Sequence, residues 1–316
     1  MRALIFHGPG DARLEEVPQP EPQEDGDVLV QIEVALTDGT DAKALLRGHP
    51  VLLSPPPSPF GHEFCGVDVS TGQRVVAANS APCGSCPACA RGQETLCEDL
   101  FPLLNGAYAE YLVVPDRIAR TNLLRVPAGV PSEVAALVEP LACCLHGVER
   151  AEVNGGDRVA VVGLGPIGLM LCACVADAGG RSVGVGGRPE RRALAREFGA
   201  ELGDGGGADV VIEAAGTEEA WLHALELVRP GGTVLAFGGL PRQTHVGVDA
   251  YRIHYEEVTL RGAFHHTPRH VRAALAFLAS GAFPFERLIT HRVGLEGVTP
   301  LLTNPPRDYL KAAVVP

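Results

Sequence analysis

Apolar residues recur on two different periods along this chain, and the change of period divides it. In the first third, short apolar or alternating runs stand apart at Gly, Pro and Asp: ALIFHG (3–8), DVLVQIEVAL (27–36), QRVVAAN (73–79) and AEYLVVP (109–115). Such runs bounded by turn formers predict β-strands, and no long helical period interrupts them before about residue 130. The prolines of SPPPSP (54–59) fix φ and remove donors, which predicts a stiff loop.

The pattern changes near Ser132. SEVAALVEPLACCLHGVERA (132–151) has helical apolar spacing, and GDRVAVVGLGPIGLMLCACVADAGG (156–180) reads as a buried strand, a glycine turn and a helix. RSVGVGG, PERRALAREFGA, DVVIEAAG, EEAWLHALELVRPGG and TVLAFGG continue the alternation of strand and helix. Repeated β-α-β with apolar strands implies a parallel sheet covered on both faces, an α/β architecture. The tail supplies one strand (VTLRGAF), one helix (PRHVRAALAFLASG) and a closing β segment ending KAAVVP. No internal repeat or low-complexity tract is present.

Composition narrows the class. The chain has 316 residues, 46% hydrophobic and 20% charged, the profile of a globular protein with room for two domains. A net charge of −12 repels a phosphate backbone, so no nucleic-acid partner is expected. No apolar run approaches the roughly 18 residues that span a bilayer, and MRALIFHGPGDARLEE turns acidic and glycine-rich too early for a signal peptide. A cytoplasmic protein with no membrane partner is the expectation. Of 26 basic residues two are lysines, Lys43 and Lys311.

Four of the nine cysteines, Cys83, Cys86, Cys89 and Cys97, crowd into a C-x2-C-x2-C-x7-C run. Short gaps let thiolates converge on one ion at about 2.3 Å, and four sulfur ligands make a closed structural zinc site. Reduced thiols without metal and an iron–sulfur cluster are the alternatives. Cys65, Cys143, Cys144, Cys172 and Cys174 lie in apolar segments and read as small buried hydrophobes.

Gly163-Leu164-Gly165-Pro166-Ile167-Gly168 follows the strand RVAVV and opens a helix, the context a dinucleotide turn requires. The first glycine makes the turn, the second admits the pyrophosphate, and the third lets helix and strand pack closely. The carboxylate that usually ends the second strand falls at Gly186 or Gly187, followed by Arg188, Arg191 and Arg192. Loss of the acid and gain of guanidinium groups favours NADP over NAD. Thr217 and Gly238 end later strands on the same side and are candidates for backbone contacts to the nicotinamide.

Three polar segments complete the pattern: Thr37-Asp38-Gly39-Thr40-Asp41, Gly61-His62-Glu63 and Glu139-Pro140-Leu141. Their order around the cysteine lobe and the glycine turn resembles the zinc-dependent medium-chain dehydrogenase/reductase family, in particular its polyol, sugar and threonine dehydrogenase branch. The resemblance runs essentially end to end. It implies an N-terminal GroES-like β-barrel catalytic domain (1–136), a Rossmann doubly wound parallel sheet that binds NAD(P) (137–278) and a return segment (279–316). It further implies a catalytic zinc held by Asp38, His62, Glu63 and Glu139, where Asp38 departs from the family's usual cysteine. Thr40 would take the proton of a small-molecule secondary alcohol, and Lys43 stands where many relatives carry a histidine relay. His146 is expected as a satisfied helix residue, and His265 and His266 as interface or surface groups. The loop within VDVSTGQRV and the segment after Gly199 are shorter than is usual in the family. A homodimer or homotetramer through the edge strand VTLRG is implied by the same analogy. The alternatives are a nucleotide-binding sensor that has lost its catalytic zinc and a zinc-free quinone or enoyl reductase. Metal content separates the three.

Overall fold

The computed structural model describes residues 1–48, 53–101 and 103–316. It contains two compact units, Met1–Ala142 with Thr267–Pro316, and Cys143–His266. These boundaries differ from the 1–136, 137–278 and 279–316 that the family resemblance implies, because the helix Pro268–Ser280 groups with the first unit.

A seven-stranded sheet organises the first unit. Its order is Ile289–Gly294, Lys311–Val315, Val28–Leu36, Glu63–Asp68, Arg74–Ala77 and Leu123–Arg125, with Tyr111–Val114 also paired to Val28–Leu36. The first two strands are parallel and the other pairings antiparallel. A three-stranded sheet adds Arg2–Gly8, Asp11–Glu16 and Ser58–Pro59. Alternate residues point inward, so Phe6, Ile32, Phe64 and Val314 meet Phe60 and Tyr108 in one core. Each phenylalanine so buried contributes about 1.5–3 kcal/mol. The strands Glu63–Asp68 and Arg74–Ala77 are joined by a short turn, in which Asp68 accepts from Ser70 N–H at 2.9 Å and from the Thr71 hydroxyl at 2.6 Å.

Two local outcomes differ from the sequence reading. A helix, Gly39–Arg47, lies inside the supposed all-β third. Asp38 is its N-cap and accepts from Asp41 N–H at 2.7 Å, while Asp41 accepts from Asp38 N–H at 3.1 Å. This reciprocal cap satisfies donors that would otherwise be left open. The helix expected over 132–151 is broken into Ser132–Ala135 and Val138–Arg150. Pro140 has no N–H to give and its ring collides with the carbonyl four residues back, so no continuous helix can pass it.

The second unit holds six parallel strands in the order Glu201–Leu202, Arg181–Val185, Arg158–Val162, Ala208–Glu213, Val228–Ala236, Thr259–Gly262. The chain crosses from one side of Arg158–Val162 to the other after Glu201–Leu202, so a switch point falls between Arg158–Val162 and Ala208–Glu213. Only two residues form the strand after Gly199, and no helix follows it before Ala208, as the shortened sequence implies. The helix Pro166–Asp177 is buried along its whole middle, from Gly168 to Val175. Four of the five isolated cysteines are buried; Cys143, one helix position from Cys144, turns partly outward and is half-buried. No helix among the described residues is long and apolar enough to cross a membrane.

Candidate functional site

Within the first unit the fold brings Asp38, Asp41, His62, Glu63 and Glu139 together. Ligand atoms of Asp38, Asp41 and His62 lie within 4.8 Å of one another, and so do those of His62, Glu63 and Glu139. His62 is common to both sets. Gly61 before it has φ 88°, and a Cβ there would stand 2.7 Å from the Tyr108 ring. Glycine is therefore required at Gly61 to bring His62 into the core. Glu139 sits in the first turn of Val138–Arg150, where the helix dipole favours a carboxylate.

Asp41, quoted in the sequence motif but given no role there, proves to be the hub. It is fully buried and accepts from Asp38 N–H, from His62 Nδ1 at 3.2 Å and from the Tyr108 hydroxyl. With Nδ1 donating to a carboxylate, the lone pair of His62 lies on Nε2, which stands 3.9 Å from Asp38 Oδ2. A carboxylate behind an imidazole in this way fixes the tautomer that a metal ligand needs. Asp38 uses Oδ1 for its cap, which leaves Oδ2 for an ion. The signal available in the sequence was the D-x-x-D spacing of the cap.

Glu63 is differently engaged. Both of its oxygens accept from Lys311, at 2.8 and 2.7 Å, and both residues are buried. Lys311 was not foreseen at the site, since 248 residues separate it from Glu63. Thr40 is half-buried on the first turn after Asp38, and Lys43 is exposed on the same helix.

The electrostatics favour a cation. Four carboxylates, Asp38, Asp41, Glu63 and Glu139, face one lysine and one histidine, so negative charge is in excess whichever form His62 takes. Burial pushes Glu63 up to about 8, Lys311 only partly opposing it. Burial works against the imidazolium of His62, yet Asp41, Asp38 and Glu139 outweigh it and hold His62 well above the ordinary histidine range. Burial would raise Asp38 too, but His62 and Lys311 keep it below the usual carboxylate value. Protons thus gather where a divalent ion would relieve the same excess. The oxygen and imidazole donors fit zinc.

The four sulfurs of Cys83, Cys86, Cys89 and Cys97 also lie within 4.8 Å of one another. Backbone N–H groups point at them: Cys86 N–H to Cys83 Sγ and Cys83 N–H to Cys97 Sγ, both at 3.3 Å, and Asp99 N–H to Cys97 Sγ at 3.4 Å. The Ser85 N–H first and the Cys86 N–H second favour the thiolate of Cys83 and bring it down to about 6, while burial pushes Cys89 up to about 12. A converging set of four sulfurs with N–H donors fits a closed zinc site.

In the second unit each glycine of the turn has a physical reason. Gly163 has φ 99°, and a Cβ at Gly168 would lie 1.8 Å from the Gly163 carbonyl. A Cβ at Gly165 would meet nothing within 4 Å, so Gly165, the N-cap of the helix that Pro166 and Ile167 open, faces free space where a pyrophosphate could approach the backbone. Gly186 and Gly187 both have φ 78° and carry the chain to Arg188, the N-cap of Pro189–Glu197. Arg188 and Arg192 are exposed, and Arg191 is half-buried. Burial first and the charge of Arg188 second lower the Arg191 guanidinium, a strain that an anion would relieve.

Thr217 is exposed and its hydroxyl accepts from Ala220 N–H at 3.1 Å as a helix cap. Gly238 has no room for a side chain, because a Cβ would lie 2.4 Å from Gly216 N. Beneath them the buried Glu213 accepts from Ala215 N–H at 2.6 Å and Gly216 N–H at 2.7 Å. His146 is satisfied in its helix, Nδ1 standing 3.0 Å from the His265 carbonyl. His266 is not a surface group, being 3% exposed, while His265 is half-buried, and their ring centroids lie 3.9 Å apart with the planes tilted by 31°.

Comparison with known proteins shows similarity to dehydrogenases over most of the chain. The alcohol dehydrogenase GroES-like domain model matches residues 24–128, and the zinc-binding dehydrogenase model matches residues 166–280. The erythritol/L-threitol dehydrogenase of Mycolicibacterium smegmatis is 32% identical, covering 93% of this chain and 91% of that protein. The sorbitol dehydrogenase of Halalkalibacterium halodurans is 31% identical, covering 92% of each. Among solved structures, a zinc-binding dehydrogenase from Sinorhizobium meliloti bound to NADP superposes with a TM-score of 0.90 at 32% identity, over 100% of this chain and 99% of that one.

Proposed function

Because this chain belongs to the zinc-binding alcohol dehydrogenase family, we propose that it oxidises a secondary hydroxyl of a polyol or sugar-like compound with a nicotinamide dinucleotide, and that its catalytic ion is held among Asp38, His62, Glu63 and Glu139. The observation that carries the reading is the buried cluster around His62, with Asp41 behind the imidazole and carboxylates before it. Bound there, zinc would acidify the substrate hydroxyl and stabilise charge on its oxygen, and the nicotinamide would accept the hydride.

The residues of the chain do the remainder. Asp41 keeps Nδ1 of His62 protonated and its ring oriented. Asp38, fixed by its own cap, presents a carboxylate oxygen that needs no reorganisation. Thr40 Oγ would receive the substrate proton while its own hydroxyl proton passes on toward the nicotinamide ribose, so the hydroxyl stays neutral. Lys43, exposed one helical turn on, is not needed for that transfer. Gly163, Gly165 and Gly168 admit the pyrophosphate to the start of Pro166–Asp177.

NADP is the preferred coenzyme in this reading. Support comes from the absence of an acid at Gly186 and Gly187 and from Arg188, Arg191 and Arg192. Exposed Tyr251, Ile253, Tyr255 and Leu260 near the edge strand Thr259–Gly262 support a homo-oligomer built through that edge. None of the nine cysteines is joined in a disulfide, in keeping with a cytoplasmic setting.

A panel of polyols and aldoses with NADP and NAD, followed by absorbance of the reduced coenzyme, tests the activity. Reduction with at least one polyol is expected, and no turnover with two ions bound would overturn the reading. In the same assay, the Arg188→Ala/Arg191→Ala variant should raise KM for NADP roughly 10–100-fold with little change for NAD. Hydrogen bonds to a charged group contribute about 1.5–3 kcal/mol, and 1.4 kcal/mol is tenfold.

A further inference from the structure

Glu213 closes the strand Ala208–Glu213 and is fully buried. Beyond the last residue of a strand the ladder ends, and buried backbone N–H groups there must find other acceptors. Glu213 serves them twice over. Its Oε1 accepts from Ala215 N–H at 2.6 Å and from Gly216 N–H at 2.7 Å. Its carbonyl accepts from Phe237 N–H at 3.1 Å and from Gly238 N–H at 2.9 Å, in the turn that follows Val228–Ala236. One residue thus ties together the turns that leave two neighbouring parallel strands. The fit is close: a Cβ at Gly238 would stand 2.4 Å from Gly216 N and 2.6 Å from Glu213 Oε2. Trp221, the single tryptophan of the chain, adds a further tie, its indole N–H donating to the Gly238 carbonyl at 3.4 Å.

These turns lie where the second half of a dinucleotide must go. The pyrophosphate belongs to the glycine turn after Arg158–Val162, and Arg188 follows the strand on one side of it, Arg181–Val185. Ala208–Glu213 lies on its other side, across the switch point. A coenzyme that spans this point with its adenosine toward Arg188 carries its nicotinamide over the ends of Ala208–Glu213 and Val228–Ala236. The first of the two turns is continuous with the glycine turn: Ala214 N–H donates to the Val162 carbonyl at 2.9 Å, and a Cβ at Gly163 would stand 3.0 Å from Ala215 N. A buried carboxylate is hard to desolvate, and a neutral acceptor would serve two N–H groups with less penalty. What the carboxylate adds is short charge-assisted bonds, which leave the turn little freedom. We propose that Glu213 is a positioning residue for the nicotinamide: it fixes the turns Ala214–Thr217 and Phe237–Gly238 against each other and so holds the ring in the attitude that hydride transfer needs, with no part in binding the adenosine half. The inference rests on the coenzyme reading given above.

The test compares NADPH with 2′-phospho-ADP-ribose, the same molecule without its nicotinamide, on the full chain; NADH and ADP-ribose, the pair without the 2′-phosphate, are run alongside. Calorimetry gives the affinities, and the fluorescence anisotropy of the bound reduced coenzyme reports how firmly its ring is held. In the parent the anisotropy should approach the value set by tumbling of the whole protein. In Glu213→Leu it should fall at saturation, with a roughly 100-fold loss of kcat, the effect of about 1 Å of misplacement at a reacting centre, while the nicotinamide-free molecule binds as it does to the parent. Glu213→Gln keeps an acceptor oxygen and should keep the anisotropy, with no more than a several-fold loss of kcat. Should Glu213→Leu fail to fold, Gly238→Ala decides: its methyl would press on Gly216 N and Glu213 Oε2, and the same fall in anisotropy with unchanged binding of the nicotinamide-free molecule is expected. Parent-like anisotropy and kcat in the deciding variant overturn the inference and leave the coenzyme reading standing. So do an equal loss of affinity for both molecules and a mobile ring in the parent. A parent chain that binds none of the four molecules sinks both.

Discussion

Replacing His62 by alanine is expected to lower kcat/KM by about 10³-fold or more and to reduce bound zinc from two ions per chain to one. The magnitude follows from the charge stabilisation a catalytic metal supplies, several kcal/mol, at about 1.4 kcal/mol per tenfold. His62 is the residue common to both groups of potential ligands, so its loss removes the imidazole from each. It also leaves Asp41 with one donor fewer in a fully buried position. Coenzyme affinity, measured by fluorescence of the reduced form, should change little, because the glycine turn belongs to the other compact unit. Metal analysis beside the kinetics makes the outcome decisive: full activity, or two retained ions, would remove His62 from the site.

The second large effect is on stability. Cys97→Ser should release the lobe's zinc and unfold the segment around residues 83–97, while the ion at His62 stays. Cys97 is buried, stands 3.9 Å from Cys86 Sγ and accepts from the N–H groups of Cys83 and Asp99. Little else organises this lobe: its regular structure is one turn of helix, Pro87–Ala90, and one 3-10 turn, Glu94–Leu96. Binding of structural zinc is worth about 10–16 kcal/mol in small peptides, as much as the entire stability of an ordinary domain, about 5–15 kcal/mol. Limited proteolysis should cut the variant within the lobe and spare the parent chain. An uncut variant with one ion fewer would mean that the lobe stands without its metal.

Where local sequence and tertiary demand agree, the structure could be read in advance. RVAVV spans the observed strand Arg158–Val162 to the residue, since an apolar run between Asp157 and a glycine turn admits few other conformations. The turn at Gly163, Gly165 and Gly168 was legible because each glycine answers a separate steric requirement. The cysteine run was legible from spacing alone. The helix Gly39–Arg47 was not, for its nine residues follow a segment, Thr37 to Asp41, whose acids read equally as chemistry or as a cap. They serve as both: Asp38 caps the helix and faces His62. Pro140 would have given away the break before Val138–Arg150, had its clash with the previous turn been weighed against the apolar spacing. Lys311 lay beyond any local rule, because only the pairing of Lys311–Val315 with Val28–Leu36 brings it to Glu63.

That pairing has a consequence for biosynthesis. The Cys143–His266 unit is contiguous, and all six of its strands have been synthesised before residue 267 is added. The other unit is split: Val28–Leu36 must wait for a partner strand, Lys311–Val315, made long after it, with the loop-closure entropy that implies. The nascent chain therefore carries a half-built sheet, with one flank of Val28–Leu36 bare, until Lys311–Val315 has emerged. Chaperone shielding would matter most for the strands around Val28–Leu36, and translational pauses before Lys311–Val315 would lengthen the interval in which they can aggregate.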